Sequence, residues 1–366
     1  MNSILKNTYR SVVRRPLIFA VLALLLLTAC ASEDPSTPEA AEDESSEEAP
    51  TEEEESAPDE DAEAEDAEAS DELAVVNYGT SGPPGAMGLL TTMITDLGID
   101  EDNGIQLETS QFAPDQAESA LLTGQVDVGF FALLSAVNTR AEGQDIVFMR
   151  GLQANHGGLL VKADSPYESL EDLKGEKVAT LNPVSGIYTS MQVLAAELGL
   201  DWEEDFELLS APPPGLVTLI ETDEVEAILH FEPTVSRMTQ SGDYRAIVIP
   251  NDVWREQTGG PLFMLGLATR QAWLDENPDL AARVVASFDE VLQRIEEDPS
   301  IIADYNDEWL ELEDEVLDQY IERISGMIVA ESNDEIRENV TMILTRAEEL
   351  GAIEEAPPIE ELFTSP

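Results

Sequence analysis

The sequence predicts an α/β protein built as two lobes, and three observations carry that prediction. Apolar strand-like runs alternate with helix-periodic segments from Leu73 to Ile249. The alternation comes in two successive sets, divided near residues 158–163. From Arg270 onward the apolar positions recur at helical spacing alone.

In the first set, Ala74–Tyr78 is a short β-rich run that ends in the turn-dense loop Gly79–Gly85. Met87, Leu90, Met93, Ile94 and Leu97 then recur at helical spacing. Ile105–Thr109 reads as the second strand. Pro114 suits a first helical position, and Gly124 stops the helix that follows. Val126–Phe131 is the third strand, Leu133–Ala141 a short helix, and Ile146–Met149 the fourth strand. Such alternation implies a parallel sheet with right-handed crossovers.

The second set opens at Leu159–Val161. Ser169, with Asp172 three residues on, marks a one-turn helix ended by Gly175. Lys177–Leu181, Phe206–Leu209, Ala227–Phe231 and Tyr244–Ile249 read as strands, and Ile187–Leu198 as the first helix between them. Leu262–Leu267 is one more apolar run, after Gly259-Gly260-Pro261. Pro278–Glu297, Glu313–Ile328 and Asn333–Leu350 form a helical C-terminal block. The expected division gives residues 73–158 and 262–366 to lobe one and 163–258 to lobe two.

Residues 1–72 stand outside this pattern. Lys6, Arg10, Arg14 and Arg15 precede the short apolar run Leu17–Leu27, as in an export signal over residues 1–29. The run ends in Leu27-Thr28-Ala29-Cys30, which resembles a bacterial lipobox and makes the chain's only cysteine the expected lipidation site. Residues 31–72 hold 21 acids and no base, with no apolar periodicity. A segment of that composition cannot offset its ordering entropy, so 30–72 is expected to be a disordered acidic linker behind the lipidated Cys30.

Charge then excludes whole classes of function. The chain has 77 acids against 18 bases, a net −59, and residues 73–366 keep 56 of the acids and 14 of the bases. Nucleic-acid binding through phosphate neutralisation needs a basic face that this balance does not supply. Adsorption to anionic lipid through a basic patch fails for the same reason. One Cys and two His exclude an internal disulfide, a multi-Cys metal site and a three-His site. No cofactor is expected.

In open α/β sheets ligands sit beyond the carboxyl ends of strands. That rule selects loops 78–85, 110–114, 130–133, 182–188 and 230–234, none of which contains Lys or Arg. Thr80 and Ser81 lie in the first, with permissive glycines. Phe131 ends an apolar strand, where it either packs in the core or lines a pocket. Ser185 and the Gly186 backbone precede a helix, an arrangement of donors at a positive helix end, with Tyr188 as an aromatic wall. The plain alternative for Ser185 is a helix cap. Asn155-His156-Gly157 follows a strand near the first crossing. His230 and Glu232 flank Phe231 at another strand-to-helix junction, Glu232 as an acid favoured by the helix dipole. A single His is more often structural than a ligand or base.

Three segments carry a family resemblance. Leu121-Leu122-Thr123-Gly124-Gln125-Val126-Asp127-Val128-Gly129 resembles the L-x-x-G-x-V-D segment of ABC-transporter solute-binding proteins. Leu170-Glu171-Asp172-Leu173-Lys174-Gly175-Glu176-Lys177-Val178-Ala179 is similar to the opening of their second lobe. Glu224-Val225-Glu226-Ala227 through Glu232-Pro233 resembles a further V-D-A…E-P element. The nearest branch is the nitrate/sulfonate/taurine and thiamine-pyrimidine type. The resemblance implies a type II periplasmic-binding-protein fold, whose lobes close on a small solute. Carried over, the ligand-facing residues would be Thr80, Ser81, Phe131, Asn155, Ser185, Gly186, Tyr188, His230 and Glu232. It also implies an exported monomer, lipid-anchored on the outer face of the cytoplasmic membrane, serving an ABC permease and its ATPase. The absence of Lys and Arg from the five loops disfavours nitrate or sulfate-like anions and leaves polar or aromatic solutes open, unless helix N-termini hold the anion. Two other readings stand beside this one: an enzyme on the same fold, and a sensory solute-binding lipoprotein. No G-x-S-x-G elbow or zinc spacing supports the enzyme.

Overall fold

A computed structural model describes residues 73–183, 185–329 and 333–364. The leader, Cys30 and the acidic segment lie outside the described residues.

The first set of elements comprises β1 (Ala74–Ser81), α1 (Ala86–Asp96), α2 (Ile99–Asp102), β2 (Ile105–Phe112), α3 (Pro114–Thr123), β3 (Val128–Ala132), α4 (Leu133–Ala141) and β4 (Ile146–Ala154). The second comprises β5 (Gly157–Lys162), β6 (Lys177–Thr180), α5 (Gly186–Glu197), β7 (Glu207–Ser210), α6 (Pro213–Glu221), β8 (Ala227–Phe231), α7 (Thr234–Gln240), β9 (Tyr244–Val248) and α8 (Pro250–Thr258). Then come β10 (Phe263–Arg270), α9 (Gln271–Glu276), α10 (Pro278–Glu297), α11 (Asp314–Ser325), α12 (Asn333–Glu349) and α13 (Ile359–Leu362).

The strands form two five-stranded sheets, ordered β2-β1-β3-β10-β4 and β7-β6-β8-β5-β9. Neither is purely parallel, which corrects the sequence expectation. β10 lies antiparallel between β3 and β4, and β5 antiparallel to both β8 and β9. The reason is chain economy. Only Asn155 and His156 separate β4 from β5, so the chain runs straight on into the second sheet. β10 returns after α8 and enters the first sheet against the grain.

Helices cover the sheets, so central strands are apolar on both faces. β4 is buried at every position but Arg150. α10 lays Val284, Phe288, Val291, Leu292 and Ile295 against the first sheet, in one apolar cluster with Val76, Tyr78 and Val128. Each such aliphatic side chain contributes roughly 1.5–3 kcal/mol on full burial. Leu160, Ala179 and Ile228 pack under α6 and α7 on one face of the second sheet. A third cluster joins the sheets: Phe131 and Leu134 share it with Ile187 and Met191, and with Val340 and Ile343 of α12.

The helices after β10 also touch both sets. α12 packs on β4, β10 and α5, and its Arg346 pairs with Glu197 of α5 at 2.9 Å. α11 packs on α7, where Thr239 donates to Gln319 at 3.0 Å and Gln240 to Glu315 at 3.3 Å. Between α10 and α11 lies a π-helical turn, Asn306–Leu310. Its Trp309 indole N–H donates to the Gly85 carbonyl at 3.0 Å. Bridges from Phe363 to Phe148 and from Ile328 to Gln153 cover the β4 edge.

Candidate functional site

The five selected loops are all strand-to-helix junctions: β1 leads to α1, β2 to α3, β3 to α4, β6 to α5 and β8 to α7. The structure brings the two sheets together at these ends. A Cβ on Gly186 would lie 3.3 Å from Met264 Cγ and 3.9 Å from Ala132 Cβ, so the start of α5 abuts β10 and the end of β3. The two crossings are tied here as well, because Asn155 N–H donates to the Leu262 carbonyl at 2.8 Å.

On the first sheet, β1 continues to Ser81, so Thr80 is a strand residue rather than part of a loop. Its buried hydroxyl accepts from Thr91 Oγ1 at 3.2 Å. Ser81 Oγ accepts from Gly88 N–H in the first turn of α1, at 3.2 Å. Gly88 leaves room for the Trp309 ring, since a Cβ there would fall 2.5 Å from it. Phe131 is buried in the cluster that joins the sheets.

On the second sheet, Ser185 caps α5. It accepts from Tyr188 N–H at 3.3 Å and donates to the Asn182 carbonyl at 2.9 Å. Tyr188 packs 6.4 Å from the Trp202 ring and donates its hydroxyl to Glu203 at 2.8 Å. Burial, with Glu203 beside it, holds that phenol well above the ordinary tyrosine range. Tyr188 therefore makes contacts within the second set of elements.

His230 has both ring nitrogens engaged. Nδ1 accepts from Phe231 N–H at 2.8 Å, and Nε2 meets the Pro213 carbonyl at 3.2 Å. That pattern fixes the neutral Nε2–H tautomer, and burial lowers its pKa accordingly. Glu232 is buried. Oε2 accepts from Ser236 N–H in the first turn of α7 at 3.1 Å, and Oε1 sits 3.7 Å from Arg323 Nε. Burial raises this carboxyl above its ordinary range, against the pull of Ser236 and Arg323.

The crossing between β4 and β5 carries the least satisfied groups. Asn155 is fully buried, and its Oδ1 accepts from Gly157 N–H at 2.8 Å. That bond fixes the amide, and Nδ2 is left buried without a partner. His156 Nδ1 is likewise buried and unpartnered, although other atoms of the residue keep some exposure. Burial and the neighbouring His230 push this imidazole down to about 4. Its ring meets Phe231 edge-on at 5.8 Å.

Phe131, Asn155 and Gly186 thus stand where the two sheets meet, and Thr80, Ser81 and Glu232 at the ends of β1 and β8, while Tyr188 and His230 spend their polar atoms elsewhere. Sequence reading missed Glu118, which reaches from α3 to accept from Ala132 N–H at 2.9 Å. It also missed Thr180, whose hydroxyl is buried without a partner at the end of β6, and Arg323 behind Glu232. None has a local signature, because each acts across elements. Among the described residues no group of three or more His, Cys, Asp or Glu is arranged to hold a metal ion.

Solved structures share this architecture. The periplasmic aliphatic sulphonate-binding protein SsuA of Escherichia coli matches at TM-score 0.61 and 18% identity, over 79% of this chain and 97% of that one. The alkanesulfonate-binding protein SsuA of Xanthomonas axonopodis pv. citri, bound to MOPS, matches at 0.63 and 15%, over 81% and 99%. The periplasmic nitrate-binding protein NrtA of Synechocystis PCC 6803 matches at 0.62 and 15%, over 80% and 86%. The shared fold is the type II periplasmic-binding-protein fold expected from the sequence. Among curated proteins, the nitrate import ATP-binding protein NrtC of Synechococcus elongatus is 24% identical over 213 residues, 53% of this chain and 31% of that protein. The chain therefore spans under a third of that relative's length. A family profile described as NMT1/THI5 like matches residues 78–301, more than half of the sequence, and the chain belongs to that family.

Proposed function

We propose that this chain is an extracytoplasmic solute-binding protein that captures a small solute between its two lobes and delivers it to an ABC importer. The observation that carries the reading is Asn155. It sits on one crossing, bonds the other through its backbone, and holds a buried, oriented and unpartnered Nδ2 between the facing strand ends. A rigid unsatisfied donor at a hinge is a group that a ligand acceptor would complete. The lobes in this reading are residues 73–158 with 262–366, and 163–258. The structural neighbours support binding over catalysis, since their names describe solute-binding proteins. The ATP-binding relative supports an importer as partner.

The test is native mass spectrometry of the full chain. A single small molecule released on denaturation is expected, and Asn155→Leu should lose it while keeping the wild-type circular dichroism. A wild-type chain that releases no solute overturns the reading. Anchoring through Cys30 is a separate part of the proposal. Cys30→Ser should move the protein from the membrane fraction to the soluble one, and continued lipid labelling of that variant would refute it.

A further inference from the structure

The helices α7 and α11 belong to different lobes of the proposed division, and each turns its apolar side to its own core. Val235 and Met238 of α7 lie in the cluster of the second sheet, whereas Val316, Leu317, Tyr320 and Ile324 of α11 lie in that of the first. What meets between the helices is polar. Glu315, Gln319 and Arg323 form one stripe along α11 and reach Gln240, Thr239 and Glu232 in turn. A contact held by hydrogen bonds rather than by apolar burial can break and re-form without exposing a core.

The seam is also incomplete. Glu232 Oε1 is buried and accepts no hydrogen bond, and Arg323 Nε stands 3.7 Å away, beyond hydrogen-bond reach. The Ser236 hydroxyl, in the first turn of α7, is likewise buried without a partner. Polar atoms left over at a contact between lobes are accounted for by a second arrangement that satisfies them.

One residue of α7 reaches past the seam. Arg237 donates to the Leu310 and Glu311 carbonyls at 3.2 and 3.5 Å, at the end of the π-helical turn. That turn is stiff. Asn306 closes it twice, accepting from Leu312 N–H at 2.9 Å and donating to the Leu312 carbonyl at 2.8 Å. Glu311 is held at φ 50°, a left-handed backbone that a non-glycine residue keeps only where its surroundings fix it. Trp309 of the same turn bonds the Gly85 carbonyl and lies over Gly88, at the start of α1. Gly85 precedes α1 and supplies no side-chain cap of its own. A guanidinium of lobe two is thus linked through one stiff turn to the β1–α1 loop of lobe one.

We propose that the α7–α11 seam is a joint that breaks and re-forms as the lobes move, and that Arg237 relays its state through the Trp309 turn to the β1–α1 loop. The proposal rests on the two-lobe reading and needs no particular solute.

Hydrogen exchange of the full chain, read by mass spectrometry without added ligand, tests it. In Arg237→Gln the amides of residues 85–89 should exchange about three- to tenfold faster than in wild type, the effect of losing one hydrogen bond from the closed state. Gln319→Ala removes a seam bond away from the turn and should speed the same amides, because the joint opens as a unit. Trp309→Phe keeps a ring over Gly88 but lacks the indole N–H, and should give a rise of similar size. In its background neither of the other two changes should add further, since the relay is already cut. Should Trp309→Phe fail to fold, the two single variants decide. Faster exchange confined to α7 and residues 306–312 overturns the relay, and so do fully additive effects. Unchanged amides at 85–89 in Gln319→Ala overturn the joint. A rise spread evenly over β6 and β8 as well marks general destabilisation and overturns both. The solute released on denaturation is a separate measurement, so a failed relay leaves solute binding intact, and a chain that carries no solute leaves the relay standing.

Discussion

His156 and Glu232 are close neighbours, with Glu232 N–H donating to the His156 carbonyl at 3.1 Å, yet their titrations push stability in opposite directions. His156 is held neutral, its pKa lowered from 6.5 to about 4 by burial and then by His230. Above 6.5 the folded and unfolded chains bind no proton there. Between 6.5 and about 4 only the unfolded chain does, so stability falls as pH drops through that window, by up to about 3 kcal/mol. Paired urea titrations should show it: His156→Asn loses less stability than wild type between neutral pH and pH 4, and equal slopes would remove the assignment. Glu232 behaves the other way. Its raised pKa means that the folded chain takes up a proton first, so its ionisation costs stability as pH rises through the folded value, and that cost is absent below the ordinary 4.5. Glu232→Gln should therefore be at least as stable as wild type at neutral pH, with the difference narrowing as pH falls toward 4.5. A variant less stable at neutral pH would mean that the Arg323 pair outweighs the desolvation.

At the scale of elements, α12 binds the second crossing to the rest of the molecule. Asn339 Oδ1 accepts the buried Trp254 indole N–H of α8 at 2.7 Å, and its Nδ2 donates to Thr258 Oγ1 at 3.1 Å. Asn339→Ala would strand a buried indole donor and should cost about 1–3 kcal/mol. Thr341→Ala, on the exposed face of the same helix, should stay within about 0.5 kcal/mol of wild type. Equal midpoints for the two in denaturant would deny α12 this role. The existence of α12 was legible from its periodicity, and so was the strand and helix order through Ile249, because period and turn chemistry are local. Strand direction was not. Leu262–Leu267 reads as the same apolar run whether it joins a sheet parallel or antiparallel, and only the two-residue passage at Asn155-His156 limits the choice. The candidate site was legible to the same degree. The junction rule found the Ser81 and Glu232 positions and the place near the first crossing marked Asn155, whereas Glu118 lies 14 residues before the backbone group it caps. Tyr188 was expected as a wall, but Trp202 and Glu203 lie beyond its helix in sequence, and nothing local announces that they draw it inward.

At the scale of the whole molecule, repulsion is the dominant long-range term. Residues 73–366 hold 56 acids against 14 bases, and only three of those bases are Lys, at 162, 174 and 177. A globule of that length has a radius of gyration of about 19 Å. The Debye length is about 30 Å at 0.01 M salt, longer than that radius, and about 3 Å at 1 M. At low salt the acids therefore repel one another across the whole fold, while at high salt each feels only its nearest neighbours. The ion pairs act in the opposite sense, since screening weakens them, but the exposed ones such as Lys162–Asp223 and Arg346–Glu349 are worth only about 0–1 kcal/mol each. Released repulsion should win, because unfolding spreads the same charges over a larger volume. The melting temperature of the chain should climb with sodium chloride from low to molar concentration, with most of the gain at the lower end, where the Debye length falls below the molecular radius. Chloride rather than sulfate is the salt to use, since sulfate strengthens apolar burial in any protein and would blur the comparison. A melting temperature that stays flat or falls across that range would mean that the surface acids are already compensated in the fold, and would strip the excess of 56 acids over 14 bases in residues 73–366 of its role in stability.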